Sequence, residues 1–444
     1  MFDETDLFHR GLALQEKKDY DQAIGVFTEA LRLNKKYTEA YYSRGNCYEA
    51  NGRHEEAIKD YSAVLAYSPN EAVAFFNRGC ARVKIEQYEQ ATDDFNRAID
   101  ADPAYAKAFY NRGYVRFRQR KFEEAIEDYT RAIEQDPNDV EAYVSRGLTR
   151  ALSGDLDAAL ADYDKAIEID PDHLKAHGNR GNVYEARGDL TLAIREYSEV
   201  IRIDPNDGKA YSNRALGQFK NGRYREAVED YTQAIRLRPK NVKTLYGRGI
   251  AYVRCRETDK ALADFNSALA LDPRHLESLI ARANALSGRG EPEAALKDLN
   301  EAITIDEASF QAWYSRGLIH GKMGADDAAI EDYSKALAIN PNDPNCSCLR
   351  GVIYTRKGML AEALDDYNKA IEINPQYANA YFNRGLVFRI MNNLEKAVAD
   401  FTKVILLDPK YVKAYQNRAV VYQMLGQKDK ARDDMAAARQ LGAK

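Results

Sequence analysis

Two pairs of residues in this chain have the types and spacing to hold a metal or to run thiol chemistry. His173 and His177 are four apart, which on a helix sets two imidazoles on one face. Cys346 and Cys348 are two apart at the start of a helical pattern. Neither pair has a third ligand nearby in sequence, so no metal site and no cofactor is expected. No glycine-rich phosphate loop, nucleophile turn or isolated carboxylate pair stands out either. The most numerous candidates are arginines. "AFYNRGYVRF" at residues 108–117 sets Arg112 before Gly113, and "AYFNRGLVFR" at 380–389 repeats the arrangement. Such a row of guanidiniums either waits for an acidic ligand or is already neutralised within the protein.

The spacing decides between these readings. Arg10 is followed in steps of 34 residues by Arg44, Arg78, Arg112, Arg146, Arg180, Arg214, Arg248, Arg282, Arg316, Arg350, Arg384 and Arg418. If each 34-residue repeat is numbered so that this arginine is position 7, an acid stands at position 23 in twelve of the thirteen. These acids run from Asp60 and Asp94 through Glu196 to Asp434, and only the first repeat differs, with Val26. Positions 7 and 23 are equally far from a turn near position 15, so a helical hairpin brings them face to face. The arginines are therefore expected to be paired within their own repeats. A net charge of −5 likewise gives no reason to expect binding to nucleic acid or an anionic membrane.

The elements that must position these pairs are two antiparallel helices per repeat. Positions 4, 8 and 11 share a face of the first helix, and positions 20, 24 and 27 share a face of the second. Position 8 is Gly in ten repeats and Ala in three (Ala215, Ala283 and Ala419). Position 20 is Ala throughout, and position 24 is Tyr or Phe except at Leu299 and Met435. Small residues let the helices approach while the aromatic ring fills the space beside them. Glycines mark the turn (Gly52, Gly154, Gly188, Gly222), and Pro at position 32, present ten times, ends the second helix. One hairpin cannot bury its own apolar face, so the repeats must stack.

This pattern resembles the tetratricopeptide repeat (TPR), over essentially the whole chain. The resemblance implies an all-α fold: an α-solenoid, a right-handed TPR superhelix of antiparallel helix pairs, with first helices on its concave wall. The expected repeats are 4–37, 38–71, 72–105, 106–139, 140–173, 174–207, 208–241, 242–275, 276–309, 310–343, 344–377, 378–411 and 412–444, forming one domain over 1–444. The chain departs from the family at position 7, where leucine is more common.

In the family, positions 2, 6, 9 and 13, flanked by 5 and 12, face the concave groove. Here position 6 is Asn at Asn77, Asn111, Asn179, Asn213, Asn383 and Asn417. An amide both gives and accepts a hydrogen bond, so a row of them can hold an extended peptide backbone whatever its sequence. The row resembles the asparagine ladder in the repeat domain of O-linked N-acetylglucosamine transferase, with interruptions. Position 5 is aromatic in the first four repeats, ending with Tyr110, then shrinks to Val144, Gly178 and Ser212. Lys175, Lys209 and Lys243 stand at position 2 around this small floor, and Asn182 at position 9. The expected peptide-binding residues are Asn77, Asn111, Asn179, Asn182, Asn213, Tyr110, Lys175, Lys209 and Lys243, and the lysines suggest acidic residues in the ligand. Co-chaperone repeat domains grip a terminal carboxylate with Lys at position 5, and no repeat here has one.

Hydrophobic residues at 45% and charged residues at 30% describe an ordered protein. No apolar run is long enough to span a membrane, no secretory leader is expected, and five scattered cysteines fit a reducing, cytoplasmic compartment. The expected function is a non-catalytic scaffold binding a protein or extended peptide. The alternatives are an array that associates end to end, or the targeting portion of a larger enzyme whose catalytic domain lies outside these residues.

Overall fold

A computed structural model of the chain describes residues 3–442 and consists, among these residues, of twenty-six α-helices and no strand. Each first helix starts at position 1 of a repeat and each second helix at position 17, as in Glu4–Glu16 and Tyr20–Leu33. The chain divides into two compact units, Met1–Asn221 and Gly222–Lys444. Within each unit every helix packs on the one before it and the one after it. The stacking required by a one-sided hairpin is thus met by its neighbours. No described helix is long and apolar enough to cross a membrane.

The packing explains the small residues. The ring at position 24 presses on position 8: a Cβ added to Gly147 or Gly181 would lie 2.8 Å from Cε1 of Tyr163 or Tyr197. Two of the three repeats with Ala at position 8 have lost the ring, to Leu299 and Met435. Ala283 and Leu299 are both fully buried, so the extra methyl takes room the ring has given up.

The turn is more demanding than its sequence suggests. Position 15 has positive φ in all thirteen repeats, yet only eight hold glycine there. Lys18, Glu86, Arg120, Arg256 and Asn392 adopt φ of 57–63° in its place. For a residue with a side chain this conformation costs roughly 1 kcal/mol. Between repeats the chain closes with a side-chain turn, as where Asp102 Oδ1 accepts from the Ala104 amide at 3.0 Å.

The arginines are paired as the spacing predicts. In eleven repeats the guanidinium reaches the acid at position 23 at 2.6–2.7 Å. The structure adds a second partner that the sequence reading missed. Nη1 of every arginine from Arg44 to Arg418 donates to position 25 of the preceding repeat, which is Ser, Thr, Asn or Asp. Arg112 shows the arrangement: Nη2 and Nε hold Asp128 at 2.6 and 3.0 Å, and Nη1 holds Asn96 at 2.6 Å. Each arginine therefore ties its own hairpin to the one before. Burial pushes the Asp60 and Asp366 carboxyls up despite the guanidiniums beside them. At these two acids desolvation outweighs attraction, as expected of buried ion pairs that are costly to break yet add little net stability.

Candidate functional site

The sixth repeat, 174–207, opens the frame. Its first helix Leu174–Arg187, its second helix Leu190–Ile203 and the following helix Gly208–Lys220 surround a cavity of about 200 Å³. Gly178 forms the floor: a Cβ there would meet only Val200 Cγ2, at 3.9 Å. At the same position two repeats earlier, the Tyr110 ring fills that space, 5.6 Å from the ring of Tyr129. The Tyr110 hydroxyl and Ser145 Oγ are hydrogen-bonded at 3.2 Å, which spends its polar end inside the stack. Loss of one aromatic side chain is what leaves this space open.

Amides line the opening. Asn182 Oδ1 accepts from the Tyr197 hydroxyl at 2.9 Å and, at 3.5 Å, from Asn213 Nδ2. Asn179 has no hydrogen-bond partner among the described residues, and it borders two cavities. The second, of about 220 Å³, is shared with Tyr110, Phe117, Tyr129 and Leu148. An uncommitted amide between two cavities can pair with the N–H and C=O of a peptide.

The other expected residues divide clearly. Asn179, Asn182, Asn213, Lys175 and Lys209 come together at the first cavity, and Tyr110 joins Asn179 and Lys175 at the second. Asn77 gives its Nδ2 to the Tyr42 hydroxyl at 2.9 Å, and Asn111 gives its own to the Lys107 carbonyl at 2.9 Å. Lys243 is exposed in the second unit and is not among the residues lining either cavity. The basic edge is also less basic than its sequence implies. Lys175 Nζ lies 3.1 Å from both oxygens of Glu141, a residue at position 2 of the repeat before. Asp207 borders the first cavity, and its carboxylate caps the next helix by accepting from the Lys209 and Ala210 amides at 2.8 and 3.0 Å. Among the described residues Lys209 has no ion-pair partner, and it supplies the remaining cation.

Beneath the cavity the frame itself is altered. Glu196 replaces the usual Asp, and His177 takes a position that is aromatic in most other repeats. His177 Nδ1 contacts Glu196 Oε2 at 2.8 Å and Nε2 contacts the Pro171 carbonyl at 3.0 Å. A carbonyl and a carboxylate only accept, so both ring nitrogens carry protons and the imidazole is cationic. The hydrogen bond to Glu196 raises the His177 pKa against the opposing effect of burial, and the Pro171 carbonyl adds to the rise. Burial pushes the Glu196 carboxyl up, but the hydrogen bonds from His177 and Arg180 outweigh it and hold it down at about 2. Arg180 reaches this glutamate through Nη2 alone, and its buried Nε is left without a partner. The longer acid turns toward the histidine and gives up the two-pronged grip that Asp128 offers Arg112.

His173 does a different job from His177. Its Nδ1 accepts from the Ala176 amide at 3.3 Å, and Nε2 faces Glu141 at 3.3 Å. The two rings are spent on separate partners, and no group of three or more metal-ligating side chains occurs among the described residues. Cys346 and Cys348 are buried, and burial pushes the Cys346 thiol up to about 12, far from a reactive thiolate.

Tetratricopeptide-repeat family models match residues 8–72, 76–140, 112–173 and 144–208, and again 218–254, 310–343, 351–389, 378–411 and 401–433. The chain belongs to the tetratricopeptide repeat family. Tandem tetratricopeptide repeats form protein–protein interaction scaffolds, and this chain is built from them along its length. No curated protein matches it. Among solved structures it is similar to the APC/C hetero-tetramer Cut9–Hcn1, with 16% identity and a TM-score of 0.43 over 99% of this chain and 94% of that one. It is also similar to a tetratricopeptide repeat protein from Parabacteroides merdae, with 23% identity and a TM-score of 0.46 over 56% and 98%. A third is YrrB, described as a TPR protein with an unusual peptide-binding site, with 23% identity and a TM-score of 0.39 over 42% and 97%. These likenesses concern the fold alone.

Proposed function

We propose that this tetratricopeptide-repeat protein is a non-catalytic scaffold that holds an extended segment of a partner protein across the two cavities around Asn179. The carrying observation is the uncommitted Asn179 amide, which borders both cavities of a repeat whose floor is glycine. Asn179 would pair with the peptide backbone, and the linked amides of Asn182 and Asn213 would extend that grip. Lys209 would meet an acidic side chain, while Lys175 stays with Glu141. The aromatic cavity beside Tyr110 would take an apolar residue. The five unpaired cysteines suit a reducing cytoplasm.

A peptide-display selection against the native chain and against an Asn179→Ala, Asn213→Ala double variant tests this reading. Peptides enriched on the native chain should fail on the variant. Equal enrichment on both would remove the site from these asparagines.

A further inference from the structure

A larger opening in the first unit lies elsewhere, and its chemistry is the opposite. A cavity of about 620 Å³ sits among the helices Thr38–Ala50, His54–Tyr67 and Ala72–Lys84. Its walls are Tyr42, Val64 and Val73, and its edge carries the carboxylates of Glu39 and Glu71. Neither carboxylate has an ion-pair partner among the described residues. The Thr38 hydroxyl donates to Glu39 Oε2 at 3.0 Å, which steadies one of them.

A second observation points to a ligand independently of the acids. Ser43 also lines the cavity and is only 8% exposed, yet its hydroxyl has no hydrogen-bond partner among the described residues. At the same position Ser145 is hydrogen-bonded to the Tyr110 hydroxyl. The tyrosine that bonds Ser145 stands at position 5 of the repeat before; ahead of Ser43 that position is Phe8, which has no hydroxyl, and Ser43 is left facing the cavity.

We propose that this cavity is a second subsite, which takes a lysine or arginine side chain of an extended partner segment. The aliphatic stem of such a residue packs along Tyr42, Val64 and Val73, its cationic head meets Glu39 and Glu71, and Ser43 bonds to the ligand's polar atoms. The inference does not depend on the site around Asn179, because it concerns other residues and the opposite charge.

The test uses short fluorine-labelled peptides of alanine and serine that carry one arginine, one lysine or one citrulline, followed by ligand-observed NMR with the full chain. Citrulline keeps the shape of arginine and removes its charge. The arginine and lysine peptides should bind the native chain about tenfold more tightly than the citrulline peptide, and weaken about tenfold on Glu39→Gln, Glu71→Gln. Both glutamates are exposed, so this variant keeps the fold. A Glu55→Gln, Glu89→Gln chain, which removes two exposed carboxylates that line neither cavity, should bind the arginine peptide as the native one does. Equal binding of arginine and citrulline peptides, unchanged binding to the Glu39→Gln, Glu71→Gln variant, or no binding of any peptide would overturn the subsite. An equal loss on the Glu55→Gln, Glu89→Gln chain would also overturn it.

Discussion

The fourth and sixth repeats share a frame and differ in what they do with it. In the fourth, Asp128 takes a two-pronged hydrogen bond from Arg112 and a further one from Arg116 at 2.8 Å, and Tyr110 fills the space in front of Tyr129. In the sixth, Glu196 is shared among Arg180, the exposed Arg195 and His177, and Gly178 leaves that space open. The space in front of position 24 opens in the sixth repeat with one side chain removed and one clasp altered, the helices left in place.

The largest effects should come from breaking the clasps. Asp128→Asn leaves two arginines without their acid and should cost about 3–5 kcal/mol in urea unfolding. Glu196→Gln should cost clearly less, because Arg180 keeps Asp164, Arg195 is exposed and His177 can release its proton. Equal losses would mean that the two clasps are equivalent after all.

The glycines of the sixth repeat should separate next. Gly181→Ala drives a methyl into the Tyr197 ring and should cost about 1–3 kcal/mol. Gly178→Ala, three residues away on the same helix, meets open space and should gain about 0.5–1 kcal/mol from helix propensity. A loss at Gly178 would show that its floor is closed.

The two repeats should also differ in their response to pH. The His177 pKa is raised in the fold, so its contribution is full below the ordinary value of 6.5 and is lost as pH rises through the raised value. Glu196 works the other way: its contribution is present above the ordinary 4.5 and is lost as pH falls toward about 2. Melting of the native chain should therefore decline on the alkaline side of 6.5, and a His177→Phe chain should lack that decline. The same alkaline decline in both chains would exclude the histidine as its source.

The smallest effect belongs to the turns. Arg120, with φ of 62°, occupies a turn position that glycine holds in the fifth and sixth repeats. Arg120→Gly should raise stability by about 0.5–1 kcal/mol, the relief of strain exceeding the added freedom of the unfolded chain.

The helix pairs and the clasp between positions 7 and 23 were legible because one repeat contains every residue they need. The arginine's second partner, at position 25 of the repeat before, and the pairing of Lys175 with Glu141 cross a repeat boundary. Reading each position down the array would have found both: position 25 is polar wherever an arginine follows, and position 2 runs Glu141, Lys175, Lys209. The asparagine ladder was only partly legible. An asparagine at position 6 can face a ligand, a neighbouring tyrosine or its own helix, and position 5 of the repeat before supplies or withholds the tyrosine. Tyr42 offers Asn77 its hydroxyl, whereas Val144 offers Asn179 none.

The most direct measurement is calorimetric titration of a display-selected peptide into the native chain and into Gly178→Phe, with the melting temperature of each recorded. Restoring an aromatic ring at position 5 should fill the cavity and weaken binding by at least about tenfold, with the fold intact. Undiminished affinity in a folded Gly178→Phe chain would contradict a peptide site at the sixth repeat.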